Sequence, residues 1–205
     1  DKKSVIVPDI GICATQYIKF PWEKKENTFG SIKVKEQKGI NEFHFTDETD
    51  SFGFDLDGVF ADDIAQEVYD NDLSYALKLR DTLPLLDTCP EIPENIRPHT
   101  AIITARPDLD IERTRFWLNN NGFKNIPLYC RNHKEFDHTV EGHIQSKIKI
   151  INDLGISCYF ESDLFQATAI SLAIPSIDVA WWNKGNPIII HAHEFKVDLS
   201  VYQGK

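Results

Sequence analysis

At 205 residues the chain is the size of one ordinary domain, long enough to bury a core without disulfide or metal staples. Its 41% apolar and 26% charged residues are those of a globular chain, and no apolar run reaches the length of a helical membrane span. The formal net charge of −10, with no Lys/Arg cluster larger than pairs such as Lys24-Lys25, argues against long nucleic acid as a partner.

The first fifty residues read differently from the rest. They contain no basic stretch followed by an apolar run, so a cytoplasmic setting is the expectation. Residues 31–35 and 42–46 alternate with period two around Gln37, Lys38 and Gly39, which predicts a β-hairpin. An isolated hairpin is marginal in water at best, so Ile32, Val34, Phe43 and Phe45 need an apolar surface. The core, Phe20 and Trp22, or another subunit in a homo-oligomer would supply it. Residues 46–50 are polar and read as a linker. The predicted division is therefore a β-rich extension over 1–50 and a domain over 51–205.

From residue 51 strands and helices alternate. Phe52 to Phe54 is a short buried strand. Residues 62–80 carry Ile64, Val68, Leu73, Ala76 and Leu77 at helical spacing, with one break near Asn71. Residues 100–104 form an apolar strand, and 108–121 a helix stopped by Asn120, Asn121 and Gly122. Residues 126–130 are the next strand, and 143–154 a helix with Gly155 at its C-cap. A strand over 157–160, a helix over 163–173 and a strand over 176–180 complete the pattern. Such alternation predicts an α/β fold, a Rossmann-like parallel sheet with helices on both faces. Ligands of these sheets bind at the carboxyl ends of the strands, so the polar residues there are the candidates.

Asp55 and Asp57 stand two apart at the first strand tip, where period-two alternation aims both the same way. Paired carboxylates can hold a divalent cation or divide nucleophile and acid/base roles. Gly58 lets the chain turn away. An EF-hand loop is excluded, because its fifth, sixth and twelfth positions would be Val59, Phe60 and Gln66. A sugar-transferase D-x-D or a plain Asp-Gly turn stays open on these residues alone. Thr104, followed by Ala105 and Arg106, puts a hydroxyl at a strand tip beside a helix start, suited to a phosphate oxygen or simply to capping. Lys147 lies on the helix before the strand over 157–160, with Lys149 as competitor. Glu161 and Asp163 form a second acidic tip, and an acid also favours a helix N-terminus.

These four elements in this order resemble the haloacid dehalogenase superfamily of phosphatases, over roughly residues 51–181. The resemblance implies Asp55 as nucleophile, Asp57 as general acid/base, and Thr104, Ala105, Arg106 and Lys147 around the phosphoryl group. It implies Mg²⁺ held by Asp55, the Asp57 carbonyl and an acidic residue at the last tip. Glu161 stands where the family usually has Asp, so Glu161 and Asp163 both remain candidates, Glu161 favoured for keeping the charge and Asp163 then lying behind it. Lys147 fits the third motif, seven residues before Leu154. Asp at position 57 favours phosphatase over dehalogenase chemistry. Only 49 positions separate Asp55 from Thr104, which leaves room for a small cap within 60–98. An open site of this kind suits a nucleotide or other small phosphorylated substrate, a polynucleotide end, or closure by a partner subunit. Leu128, Tyr129 and Arg131 resemble a stretch of the nucleotidase and polynucleotide 3′-phosphatase branches, with Arg131 on phosphate or base, or in a surface salt bridge. An inactive binding or assembly protein on the same fold is the alternative from another class.

Trp117 is read as core, and Trp181-Trp182 as closing the sheet edge or stacking a base. His191 and His193 have metal-pair spacing on a strand but no third ligand nearby. Cys13, Cys89, Cys130 and Cys158 form no CxxC pair and are read as free thiols.

Overall fold

The structure is a computed structural model that describes residues 50–92, 94 and 96–190 in full, and the backbone of 31–34 and 43–44. In chain order its elements are β1 (Ser31–Val34), β2 (Phe43–His44), β3 (Phe52–Phe54), α1 (Gln66–Asn71), α2 (Leu73–Thr82) and β4 (Pro90–Glu91). There follow β5 (Thr100–Pro107), α3 (Ile111–Asn120), β6 (Leu128–Arg131), α4 (Val140–Leu154), β7 (Cys158–Glu161), α5 (Leu164–Ala173), β8 (Asp178–Asn183) and β9 (Asn186–Ile190).

The main sheet has six strands in the order β6-β5-β3-β7-β8-β9. Every pairing in it is parallel except β8 with β9. Alternate residues feed two cores. Phe52, Phe54, Ile102 and Phe160 pack with Trp117 and Leu118 of α3, and Ile103, Tyr159 and Val179 pack with α4 and α5 on the other face. This two-sided burial is why the strands read as near-continuous apolar runs. Phe54 stacks on Phe160 at 4.4 Å between ring centroids, pinning β3 to β7 just below the acidic tips. Gly53 is required here: a Cβ would lie 2.8 Å from the Tyr159 ring.

The expected strands pair in parallel, and β9, which the sequence reading did not name, adds an antiparallel edge by turning back on β8 through Lys184 and Gly185, both at positive φ. A two-residue loop of that conformation matches the twist of antiparallel strands. The expected helix over 62–80 is two helices, α1 and α2. Asp72 leaves the helical region and caps α2 by accepting from the Tyr75 N–H at 2.9 Å. Residues 62–65 are not helical, because Ala61 is drawn into bridges with Asp57 and Leu85. The helix expected from 108 begins with a 3-10 turn over Asp108–Asp110. α4 starts earlier than expected, at Val140, because Thr139 caps it by accepting from the Gly142 N–H at 3.0 Å. Gly155 ends it in the left-handed region.

β1 pairs antiparallel with β2, Ile32 opposite Phe43, and with β4, Lys33 opposite Glu91. The expected packing of Ile32, Val34, Phe43 and Phe45 against Phe20 and Trp22 lies outside the described side chains, as do His191, His193 and Cys13 outside the described residues. Among the described residues no helix is long and apolar enough to cross a membrane.

Candidate active site

β3 is central, with β5 on one side and β7 on the other, so the chain reverses its direction of winding at the tip of β3. The crevice such a reversal opens is the usual ligand site of an open α/β sheet. Here it is a cavity of about 480 Å³, walled by Asp55, Asp57, Ala105, Arg106, Lys147 and Asp163 from the sheet side. The α1–α2 pair and the turn before it close the other side with Asp63, Ile64, Tyr69, Leu73, Leu77 and Arg80. That segment is tied to the sheet domain by Arg80 to Asp110 at 2.7 Å, Arg113 to Asp81 at 2.6 Å, and Trp117 Nε1 donating to the Leu83 carbonyl at 2.8 Å.

At the floor, Lys147 Nζ donates to Asp55 Oδ2 at 3.1 Å, Glu161 Oε2 at 2.7 Å and Gln166 Oε1 at 3.1 Å. Lys147 is 1% exposed and Glu161 0%, so this triad is almost dry. Burial works against the Lys147 ammonium, but the Asp55 and Glu161 carboxylates outweigh it and hold the group charged well above its ordinary value. Two carboxylates share one cation. Burial, then the Glu161 carboxylate, pushes Asp55 well above the usual carboxylate range, against the pull of Lys147. The floor therefore sets two carboxyl groups against one ammonium.

Asp57 is held by Arg106, whose Nε donates to Oδ2 at 2.9 Å and whose Nη2 donates to Oδ1 at 2.5 Å. The Asp57 carbonyl accepts from Ser162 Oγ at 2.8 Å. Gly58 makes that contact possible: it sits at φ +78°, and a Cβ would lie 2.5 Å from Ser162 Cβ. Gly58→Ala is expected to cost about 1–3 kcal/mol, from backbone strain and the displaced Ser162, read as a lower urea midpoint at unchanged m-value. An unchanged midpoint would mean that the turn relaxes without strain.

The structure gathers Asp55, Asp57, Arg106, Lys147, Glu161 and Asp163 at one end of the sheet, in differing positions. Thr104 is buried, accepts from the Arg106 N–H at 3.2 Å and is not part of the cavity wall. Glu161 lies behind Lys147, with Oε1 accepting from the Asp163 N–H at 3.1 Å and Oε2 3.3 Å from the Tyr159 hydroxyl. Asp163 borders the cavity and caps α5 through the Gln166 N–H at 2.8 Å, so capping accounts for one of its oxygens. Lys149 makes only an exposed pair with Asp153 on its own helix, which leaves Lys147 as the lysine of the site.

Arg131 is not a surface ion pair; it is buried and lines the cavity. It is 3% exposed and donates to the carbonyls of Ala105, Phe136 and Asp137, bracing the loop before α4. Trp182 packs in the core against Phe160, and Trp181 Nε1 donates to the Ser162 carbonyl at 3.0 Å. Neither lines the cavity. His138 and His143, not singled out in the sequence, do line it, 3.1 Å apart. Burial, then His138 and Arg131, lowers His143 to about 4, so it is neutral at pH 7. Their spacing in a loop and the next helix turn carries no motif. Cys158 is buried and Cys130 half-buried, and burial raises both thiols, Cys130 to about 11.

Among the described residues no three His, Cys, Asp or Glu side chains converge to cage a metal. Mg²⁺ needs no such cage, since it binds through one or two carboxylates and keeps several waters. The cavity donors include the hard carboxyl oxygens of Asp55, Asp57 and Asp163, and they fit that ion. No family model, curated protein or solved structure matches the chain.

Proposed function

We propose that the protein is a Mg²⁺-dependent phosphomonoester hydrolase of small phosphorylated substrates, a nucleotide among them, resembling haloacid dehalogenase phosphatases of the small-cap branch and working in a cytoplasmic setting. The observation that carries this reading is the buried Lys147 holding Asp55 at the carboxyl end of β3, under a cavity of about 480 Å³. A volume of that size suits a small molecule.

In this reading an Asp55 oxygen attacks phosphorus and the bond to the leaving oxygen breaks, giving an aspartyl phosphate. Asp57 supplies the proton that the leaving alkoxide takes up. It then takes one from the water that attacks phosphorus in the second step, which frees inorganic phosphate and restores Asp55. Both Asp57 oxygens accept from Arg106 at rest, so in this reading Asp57 first takes a proton from solvent as Arg106 turns toward the phosphoryl oxygens, and it is that proton which passes to the leaving oxygen. Thr104 holds the Arg106 backbone, and Lys147 keeps Asp55 aimed and its charge offset. Mg²⁺, when bound, would offset the repulsion between the Asp55 carboxylate and the dianionic phosphate. Asp55, the Asp57 carbonyl and the last acidic tip would hold it. At that tip Asp163 is favoured over Glu161, because Glu161 is fully buried with both oxygens engaged and Asp163 borders the cavity.

The test is Mg²⁺-dependent release of phosphate from 4-nitrophenyl phosphate and from a panel of phosphorylated metabolites and nucleotides. Asp57→Asn is expected to lower kcat/KM by about 10²–10⁴-fold on alkyl esters, the usual contribution of a positioned acid/base. No release from any member of the panel would leave the fold to the alternative, a binding or assembly protein.

A further inference from the structure

Two arginines that line the cavity hold their carboxylates differently. Arg106 grips Asp57 with both donors of one guanidinium edge, Nε and Nη2. Arg80, on α2, grips Asp110 with Nη2 alone, at 2.7 Å. Its Nε–H, on the same edge, is buried and has no hydrogen-bond partner among the described residues. Buried donors are seldom left without an acceptor, so this one calls for an account. The whole Arg80 side chain is 5% exposed, which leaves the cavity as the place where an acceptor would arrive. Tyr69, on α1, lines the same wall, half-buried. Its hydroxyl lies beside the Arg80 guanidinium and within range of the Asp57 and Arg106 charges, so it stands near the proposed acid/base pair as well. Burial raises the Tyr69 hydroxyl against the pull of Arg80, and it is an O–H donor at neutral pH.

We propose that the Tyr69 hydroxyl and the Arg80 Nε–H together take an acceptor oxygen on the alcohol part of the substrate, so that the site selects phosphate esters of hydroxylated alcohols, such as glycols and sugars, over those of plain alkyl alcohols. This rests on the phosphatase reading and deepens it. Asp110 already balances the Arg80 charge, so the guanidinium lacks an acceptor and not a counter-ion, and a neutral hydroxyl suffices. An alkyl group in the same place would leave both donors unpaired, which is how a polar site rejects an apolar analogue. Nε is covered at rest, and the Tyr69 ring is free to give way to an entering oxygen. α1, which carries Tyr69, buries none of its residues, and a segment with so little buried opens at small cost.

The experiment uses propyl, butyl and pentyl phosphate, each against the analogue whose terminal methyl is replaced by a hydroxyl, as competitors of 4-nitrophenyl phosphate hydrolysis at pH 7.5 with Mg²⁺. Each competes whether or not it turns over, and the series varies the reach of the hydroxyl. In the best-matched pair wild type is expected to bind the hydroxyl analogue about tenfold more tightly than the alkyl ester. Tyr69→Phe, which removes one oxygen from a half-buried ring, should bring that ratio to within about threefold. Arg80→Lys, which keeps a cation for Asp110 but loses the second donor of the fixed fork, should do the same. A merely structural role would weaken both members of a pair alike and leave the ratio standing. No preference for any hydroxyl analogue in wild type, or an unchanged ratio in either variant, overturns the proposal and leaves the phosphatase reading intact, with Nε then satisfied by an ordered water. No Mg²⁺-dependent hydrolysis of 4-nitrophenyl phosphate by wild type removes the reading itself, and the proposal with it.

Discussion

Asp55→Asn is expected to abolish turnover, by on the order of 10⁴-fold or more, while the metal-free protein stays folded and is no less stable at neutral pH. The loss of activity follows from removing the attacking oxygen; an amide does not form the acyl phosphate. The stability result follows from the charge balance of the floor. Asp55 and Glu161 share the ammonium of Lys147 in an almost dry site, and Asp55 is held well above its ordinary range by burial and by Glu161. A carboxyl raised in the folded state contributes stability that is fully present below its unfolded value, about 3.9, and is lost as pH rises through the folded value. At pH 7.5, far above that unfolded value, holding the Asp55 carboxyl in the buried floor is therefore a cost, and Asn removes it while Lys147 keeps Glu161. The variant should melt at or above the parent at pH 7.5 without metal, and the advantage should vanish below about pH 4. Two measurements decide this: phosphate release under single-turnover conditions, and melting temperature across pH. Turnover above about a thousandth of the parent would mean another nucleophile. A variant much less stable at pH 7.5 would mean that the Asp55–Lys147 pair outweighs the repulsion.

Lys147→Met is expected to be the most destabilising single change at the site. Met nearly fills the space of the lysine, so packing is kept and the charge alone is lost. Asp55 and Glu161 would then be buried together with no cation, 5% and 0% exposed. Removing one partner of a buried ionic group typically costs about 3–5 kcal/mol. For a domain of this size that is a fall of roughly 6–20 °C in Tm. Adding Glu161→Gln to Lys147→Met should recover part of the loss, since one uncompensated carboxylate is removed. With Glu161→Gln alone as the third variant, the cycle isolates the coupling between Lys147 and Glu161. If Lys147→Met left the urea midpoint unchanged, the two carboxylates would not depend on this ammonium, and the triad would be no more than a set of close contacts.

Much of the fold is legible in the sequence because the sheet is buried on both faces. The apolar runs at β5 and β7, the Asn121-Gly122 stop after α3 and the Gly155 C-cap of α4 are local signals backed by local physics. Position at a strand tip likewise made Asp55, Asp57, Thr104 and Glu161 candidates, because a parallel sheet brings its carboxyl ends together whatever the connections are. Spacing to Leu154, under the resemblance, already favoured Lys147 over Lys149. The packing of α4 on β5 is the physical reason that Lys147 turns under the sheet tips and Lys149 stays in solvent.

The rest depends on contacts between residues far apart in the chain. Arg131 became a buried brace because three carbonyls of the neighbouring loops converge on it. Asp57 met Arg106 across 49 positions, and Ser162 met the Asp57 carbonyl through the space that Gly58 leaves. In the sequence Glu161 was favoured over Asp163 for keeping the charge at the family's position, but charge is the same for both and does not say which faces the cavity. Burial decided it, because β7 alternates its side chains and turns Glu161 under Lys147, and Asp163 begins the next helix at the rim. Sequence determined which residue types stand at the strand ends and hence the class of chemistry they suit. Tertiary structure alone decided which of them are paired, buried or open to a ligand, because desolvation and pairing depend on neighbours that the linear order does not contain.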